Sequence, residues 1–199
     1  MSLRLFLTVA LLLGPVAAFG QEKLGTAIVN GQRVDLFSDF KWRYQNEQSE
    51  KCQTIGVGVL FCPSLGTWQV MPNESAEITA HFKYDDRNYG MFLFEQLGAD
   101  DSVTVEMMST IVLQNMAESM GVKGSDIPVL ETNVTTVHGS PAQTIVYSGN
   151  YEGLDVVYAN TILISPKTTL QSVTYSIGQV YTPEHRNMHK QFLNSIKLE

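Results

Sequence analysis

The chain has 199 residues, with 13 basic and 20 acidic side chains and a formal net charge of −7. That balance, with Lys and Arg scattered, argues against nucleic acid and against anionic lipid surfaces as partners. It names no positive partner, and the length fits a single domain able to bury a proper core.

Residues 1–20 carry the pattern of a cleavable export signal. Arg4 supplies the positive start, Leu5 to Leu13 a short apolar run, and Gly14-Pro15 a helix break. Ala18 and Gly20 then stand at −3 and −1 for a cut before Gln21. A membrane anchor would need roughly 20 apolar residues, and this run stops well short. No Cys lies near the cut to carry a lipid. The expectation is a periplasmic or secreted protein, residues 21–199, with no stable membrane anchor.

Ala27 to Phe37 reads as a β-hairpin, with Asn30-Gly31 as its favoured two-residue turn. Phe40, Trp42 and Tyr44 alternate with Lys41 and Arg43, a third short strand. This meander, with a polar linker from Gln45, occupies residues 21–51 and is too small to be stable alone. The main domain is expected over residues 52–199.

Cys52 and Cys62 are the two cysteines, and they pose an open question. A compartment that permits disulfides favours one bridge closing a short loop. Against it, Thr54 to Phe61 reads as a single strand, which at ~3.3 Å per residue would hold the sulfurs about 30 Å apart. A bridge needs Cα atoms within roughly 7 Å. Either the chain folds back at Gly56 and Gly58, or the thiols stay apart.

Pro63 to Trp68 forms a turn. Ile78 to Tyr84 and Tyr89 to Leu97 read as a hairpin around Asp85-Asp86-Arg87-Asn88. Asp100, Asp101 and Ser102 offer an N-cap for a long helix ending near Gly121. Val103, Met107, Met108, Ile111, Val112, Met116 and Met120 give it one apolar stripe. Four strand-like runs follow, at Val129 to Val137, Gln143 to Tyr147, Val156 to Ile164 and Ser172 to Val180. Thr182-Pro183-Glu184 opens a closing helix that buries Met188, Phe192 and Ile196. These elements predict an α+β fold: an antiparallel sheet of about six strands covered by a long central helix and a C-terminal helix, with a small N-terminal β-meander.

From Leu60 onward the order resembles the Mog1/PsbP-like superfamily. The likeness rests on Pro63-x-x-Gly66-x-Trp68, a strand pair, one long helix, a four-strand meander and a last helix with Phe192-Leu-Asn-Ser-Ile196. It covers about two-thirds of the chain. The resemblance implies docking onto other proteins, and it brings no catalytic set with it.

Few side-chain groupings point to chemistry. His185 and His189 stand four apart on the last helix, on one face, as in a two-His metal site. The plainer reading is two solvent-facing histidines, and Glu184 is rotated about 100° away from His185. Asp85-Asp86 and Asp100-Asp101 sit at breaks and read as turn and cap residues. The helix methionines, with Met91, suit a core-filling stripe or a soft copper(I) site, and the spacing favours core. His81 and His138 have no evident nucleophile beside them, and no Gly-x-Ser-x-Gly elbow is present. Asn73-Glu-Ser75 and Asn133-Val-Thr135 are glycosylation sequons. Trp42 and Trp68 read as packing anchors. The sequence thus points to a noncatalytic accessory protein with no cofactor that docks on another protein. The alternative is a small-molecule or metal-binding module with a pocket between helix and sheet.

Overall fold

The computed structural model describes residues 22–29, 32–44, 52–64, 66–73, 75–151 and 153–199. The expected export signal 1–20, the expected Asn30-Gly31 turn and the expected linker from Gln45 lie outside the described residues.

The first sheet is a three-stranded meander. β1 (Lys23–Val29) pairs antiparallel with β2 (Gln32–Phe37), which pairs with β3 (Trp42–Tyr44). Val34 is fully buried, while Phe40 is 98% and Trp42 49% exposed. Trp42 is therefore no core anchor.

The segment read as one strand is two. β4 (Gln53–Gly56) turns at Val57-Gly58 into β5 (Val59–Phe61), with Gly58 at φ 70°. Glycine takes that left-handed backbone without the Cβ penalty of other residues. The fold-back puts Gln53 opposite Phe61 and brings the Cys52 and Cys62 Cα atoms to 4.1 Å, where they are disulfide-bonded. The open question is settled in favour of the bridge. Replacing both cysteines by serine is expected to lower stability by about 2–3 kcal/mol in urea unfolding. An unchanged midpoint would mean the β4–β5 hairpin holds its own ends together.

The main sheet is a seven-stranded antiparallel array in the order β6-β7-β8-β12-β11-β10-β9. Its strands are β6 (Gln69–Met71), β7 (Ala80–Lys83), β8 (Asn88–Glu95), β9 (Val129–Val137), β10 (Ser140–Tyr151), β11 (Leu154–Ile164) and β12 (Thr169–Ile177). The additional strand is β6, too short to betray itself by periodicity. Asp85, as expected of a turn residue, accepts from Arg87 N and Asn88 Nδ2. A third, small sheet joins β4 and β5 to β13 (Ile196–Leu198).

α1 (Val105–Met120) covers one face of the main sheet over β10 and β11. Its cap is Thr104, whose Oγ1 accepts from Met107 N. Asp100 and Asp101 belong instead to a single 3-10 turn, Ala99–Asp101, which ends in Ser102 at φ 66°. The expected stripe is split. Met108 and Val112 are buried against Ile145, Tyr147 and Ile162, whereas Met107 and Ile111 face outward. Met116 and Met120 press on Gly149, where an added Cβ would lie 2.6 Å from Met116 Sδ.

α2 (Pro183–Asn194), capped by Thr182, lies on the opposite face. Its Phe192 meets Phe61, Trp68 and Phe92 at ring-centroid distances of 4.8, 4.7 and 4.6 Å. Ile196 is buried as expected, but in β13, opposite Phe61. Among the described residues, no helix is long and apolar enough to cross a membrane.

Candidate functional site

The two histidines of α2 do not face solvent. His185 is 3% and His189 4% exposed. Positions 185, 188, 189 and 192 lie on one helical face, and that face is the one pressed on the sheet. There the imidazoles meet threonines from three strands. His189 Nδ1 lies 2.8 Å from Thr174 Oγ1, and its Nε2 lies 2.7 Å from Thr161 Oγ1. Thr161 Oγ1 is 2.7 Å from Thr144 Oγ1, and His185 Nε2 is 3.2 Å from the same Thr174 hydroxyl. The result is a continuous buried chain: Thr144, Thr161, His189, Thr174, His185.

Both imidazoles converge on one hydroxyl, so Thr174 Oγ1 occupies the position between them. Among the described residues, no three His, Cys, Asp or Glu side chains gather in metal-binding geometry. Burial pushes the His185 pKa down to about 4. Burial, with His185 nearby, takes His189 down to about 3. Both rings are neutral at physiological pH, each with one N–H and one bare nitrogen. His185 Nδ1 is enclosed without a hydrogen-bond partner.

The chain of hydroxyls and imidazoles runs beneath α2 between two clefts. One, of about 610 Å³, borders the β8 and β12 side and is lined by His185 together with Asp85, Arg87, Asn88, Gln179 and Asn187. The other, of about 300 Å³, borders β9 and is lined by Thr144, His189, Lys190 and Leu193. At that side Arg186 grips Glu131 of β9 through two contacts of 2.7 Å. This grip holds the Glu131 carboxyl below its usual range. The Arg186 guanidinium also stands 4.5 Å over the Tyr181 ring.

The α1 face carries a second feature that sequence reading missed. Tyr147, Tyr158, Tyr175 and Tyr89 stand directly opposite one another across β10, β11, β12 and β8. Their rings are 5.1, 5.7 and 5.0 Å apart in turn. His81 closes the row, its Nε2 2.8 Å from Tyr175 Oη. Desolvation raises the phenol pKa of Tyr158 to about 12. Four tyrosines on four strands show no motif in the sequence; only the strand register aligns them.

His138 lies at φ 48° in the β9–β10 turn. Asn73 donates to the Ile78 and Thr79 carbonyls, and Asn133 to Glu131.

Two helices flanking an antiparallel sheet in this order define the Mog1/PsbP-like fold. The chain is similar to a cyanobacterial PsbP from Synechocystis sp. PCC 6803, with 8% identity over 71% of this chain and 87% of that one, TM-score 0.51. It is equally similar to a Mog1 point mutant, with 8% identity over 76% of this chain and 96% of that one, TM-score 0.51. LpqN of Mycobacterium tuberculosis, described as involved in cell envelope biogenesis, shares 13% identity over 70% of this chain and 83% of its own, TM-score 0.44. At 8% identity the PsbP and Mog1 likenesses show a shared fold alone. No family model and no curated protein matches the sequence.

Proposed function

We propose that the protein is an exported, noncatalytic accessory protein that docks on another protein by taking an extended segment of it onto the β9 edge. The export half is supported by the leader-like residues 1–20 and by the Cys52–Cys62 bridge, since disulfides persist mainly in oxidising compartments.

The observation that carries the docking half is the state of β9. It is the outermost strand of the main sheet and nine residues long, far longer than β6 at the other edge. Natural sheets blunt such edges with Lys, Pro or very short strands. β9 has none of these, and its one bulge, at Leu130, lies at its start and leaves Glu131 to Val137 in regular register. Its sequence is Val-Leu-Glu-Thr-Asn-Val-Thr-Thr-Val, and its one charge, Glu131, is already held by Arg186. Val134 is 87% exposed. Main-chain groups on an open edge supply affinity for an added strand, and side pockets supply register. The 300 Å³ cleft beside β9, with Leu193 and Lys190 in its wall, offers such a pocket to apolar or acidic side chains of the incoming segment.

The test is a pull-down of residues 21–199 from the native envelope extract, comparing wild type with Val134→Lys. The exported protein should begin at Gln21. A partner enriched by wild type, crosslinked to β9 and lost about tenfold in the variant supports the reading; the exposed substitution itself should move stability by less than about 0.5 kcal/mol. Equal capture by both proteins sinks it. So does a wild-type dimer that Val134→Lys dissolves, because a second copy would then occupy the edge.

A further inference from the structure

Granted that the β9 edge is the docking site proposed above, the side chains beside it also restrict what it receives. Their directions follow from the pairing with β10. Thr144 faces α2, where its hydroxyl meets Thr161 at the end of the buried chain, and Asn133 stands directly opposite Thr144. Glu131 and Thr135, two residues to either side, therefore face α2 as well, while Thr132, Val134 and Thr136 face the α1 side. A strand added along β9 alternates in the same way. Half of its side chains meet α2, and the other half meet only uncharged, β-branched neighbours.

The half facing α2 meets positive charge. Arg186 and Lys190 stand four apart on one face of the helix, and both line the cleft of about 300 Å³ beside β9. No Asp or Glu is among the described residues that line it. The other flank of α2 differs, for Glu184 and Asp85 border the larger cleft there with Arg87. The helix is thus two-sided in charge, within a chain whose net charge is −7. Of the two cations beside β9, Arg186 is answered from within, by Glu131. Lys190 is exposed and has no hydrogen-bond or ion-pair partner among the described residues.

Lys190 is also set at a definite level of the edge. Arg186, near the start of α2, reaches Glu131. His189 meets Thr161, whose partner Thr144 lies opposite Asn133. Phe192 shares a core with Ala142, which lies opposite Thr135. Helix and strand therefore advance together along the sheet. Four helical residues rise about 6 Å, and two strand residues about 6.6 Å. One turn beyond the Arg186–Glu131 pair, Lys190 comes level with Asn133 and Thr135, and all three line the same cleft. Neither of those two β9 side chains carries a charge.

We propose that the segment taken up by β9 is acidic: an extended peptide with an Asp or Glu on its α2-facing side at the level of Asn133 and Thr135, where Lys190 meets the carboxylate, and with β-branched or aromatic side chains at the alternate positions, against Thr132 and Val134. A lysine or arginine at the acidic position would stand against Lys190 and Arg186, with no carboxylate in the cleft wall to offset it. An exposed ion pair adds little affinity. Main-chain pairing holds the strand, and the lysine selects among the segments that can pair.

The test uses residues 21–199 and three labelled synthetic peptides: Thr-Glu-Val-Glu-Val-Glu-Thr and its counterparts with Gln or Lys in place of every Glu. Fluorescence anisotropy reads their binding, and hydrogen exchange reads protection of the β9 amides. The Glu peptide is expected to protect β9 and to bind about threefold more tightly than the Gln peptide, and about tenfold more tightly than the Lys peptide. Lys190→Glu, an exposed change, should reverse the order of the Glu and Lys peptides. In 1 M salt, where the Debye length is about 3 Å, the three should converge. This variant and Val134→Lys probe opposite faces of the added strand, so the two readings fail separately. Equal binding of all three peptides with β9 protected would overturn the acidic segment and leave the edge standing. Tightest binding of the Lys peptide, or a Glu preference that Lys190→Glu leaves unchanged, would overturn it too. Glu-peptide binding that leaves β9 unprotected would overturn both. Failure of every peptide to bind at millimolar concentration would overturn the segment chemistry, with the edge then judged by the pull-down alone.

Discussion

Acidification from neutral pH to about 4 is expected to remove about 3 kcal/mol of stability through His185 alone, with a further loss through His189. Both rings are buried neutral, so their folded pKa values lie below the ordinary value of 6.5. Above that value neither state is protonated and stability is complete. Below it the unfolded chain takes up protons that the folded chain refuses, so stability falls as pH falls. The loss levels off only once pH passes the folded values, near 4 and 3. Urea unfolding at stepped pH measures this slope directly. A His185→Gln variant should show a shallower slope across the same window, with Thr174 still able to bond the amide. A wild-type stability that is flat between neutral pH and about 4.5 would mean that the rings titrate normally and are not enclosed as described.

Phe192→Ala is expected to cost about 3–5 kcal/mol, a large part of the 5–15 kcal/mol typical of a domain. The ring is fully buried and stacks on Phe92 at an interplanar angle of 16°. It also reaches the backbone of β8. A Cβ added to Gly90 would lie 2.7 Å from Phe192 Cε2, so the glycine leaves the space that the ring fills. Truncation leaves a cavity walled by Phe61, Trp68, Phe82 and Phe92, rigid rings that collapse poorly into empty space. Thermal unfolding by circular dichroism reads the effect, and Phe192→Leu should recover a substantial part of it. A Phe192→Ala loss below about 1 kcal/mol would show that this aromatic cluster repacks freely.

Much of this architecture was legible because it rests on local patterns. The four-strand meander after α1, the Thr182-Pro183 helix start and the Gly121 stop follow from periodicity and capping alone. β9 was placed at its observed ends, Val129 and Val137. What escaped the sequence depends on pairing across distance. Thr54 to Phe61 alternates like one strand, and only the left-handed Gly58 divides it. The histidines were within reach of the argument. Met188 and Phe192 were assigned to the core by their spacing, and His185 and His189 share that helical face. Their polarity suggested solvent, but burial is tolerable when hydroxyls receive the imidazoles. Those hydroxyls sit on β10, β11 and β12. Thr144 lies directly opposite Thr161, a register that the sequence of each strand alone does not reveal.

The pairing of β5 with β13 has a consequence for how the chain comes to be folded. Phe61 precedes the main sheet along the chain and Phe192 and Ile196 follow it, yet all three share one aromatic and aliphatic core. Contacts between distant parts of a chain form late, because the intervening chain must be ordered before they return any stabilisation. The hairpin of β4 and β5 can close early under its disulfide, but its apolar face then waits uncovered for the last helix and strand. A polypeptide emerging from a ribosome or a translocation pore therefore completes this core only once α2 and β13 have emerged. A deletion of β13 and the end of α2 deprives the β4–β5 hairpin of its cover as well as removing those elements.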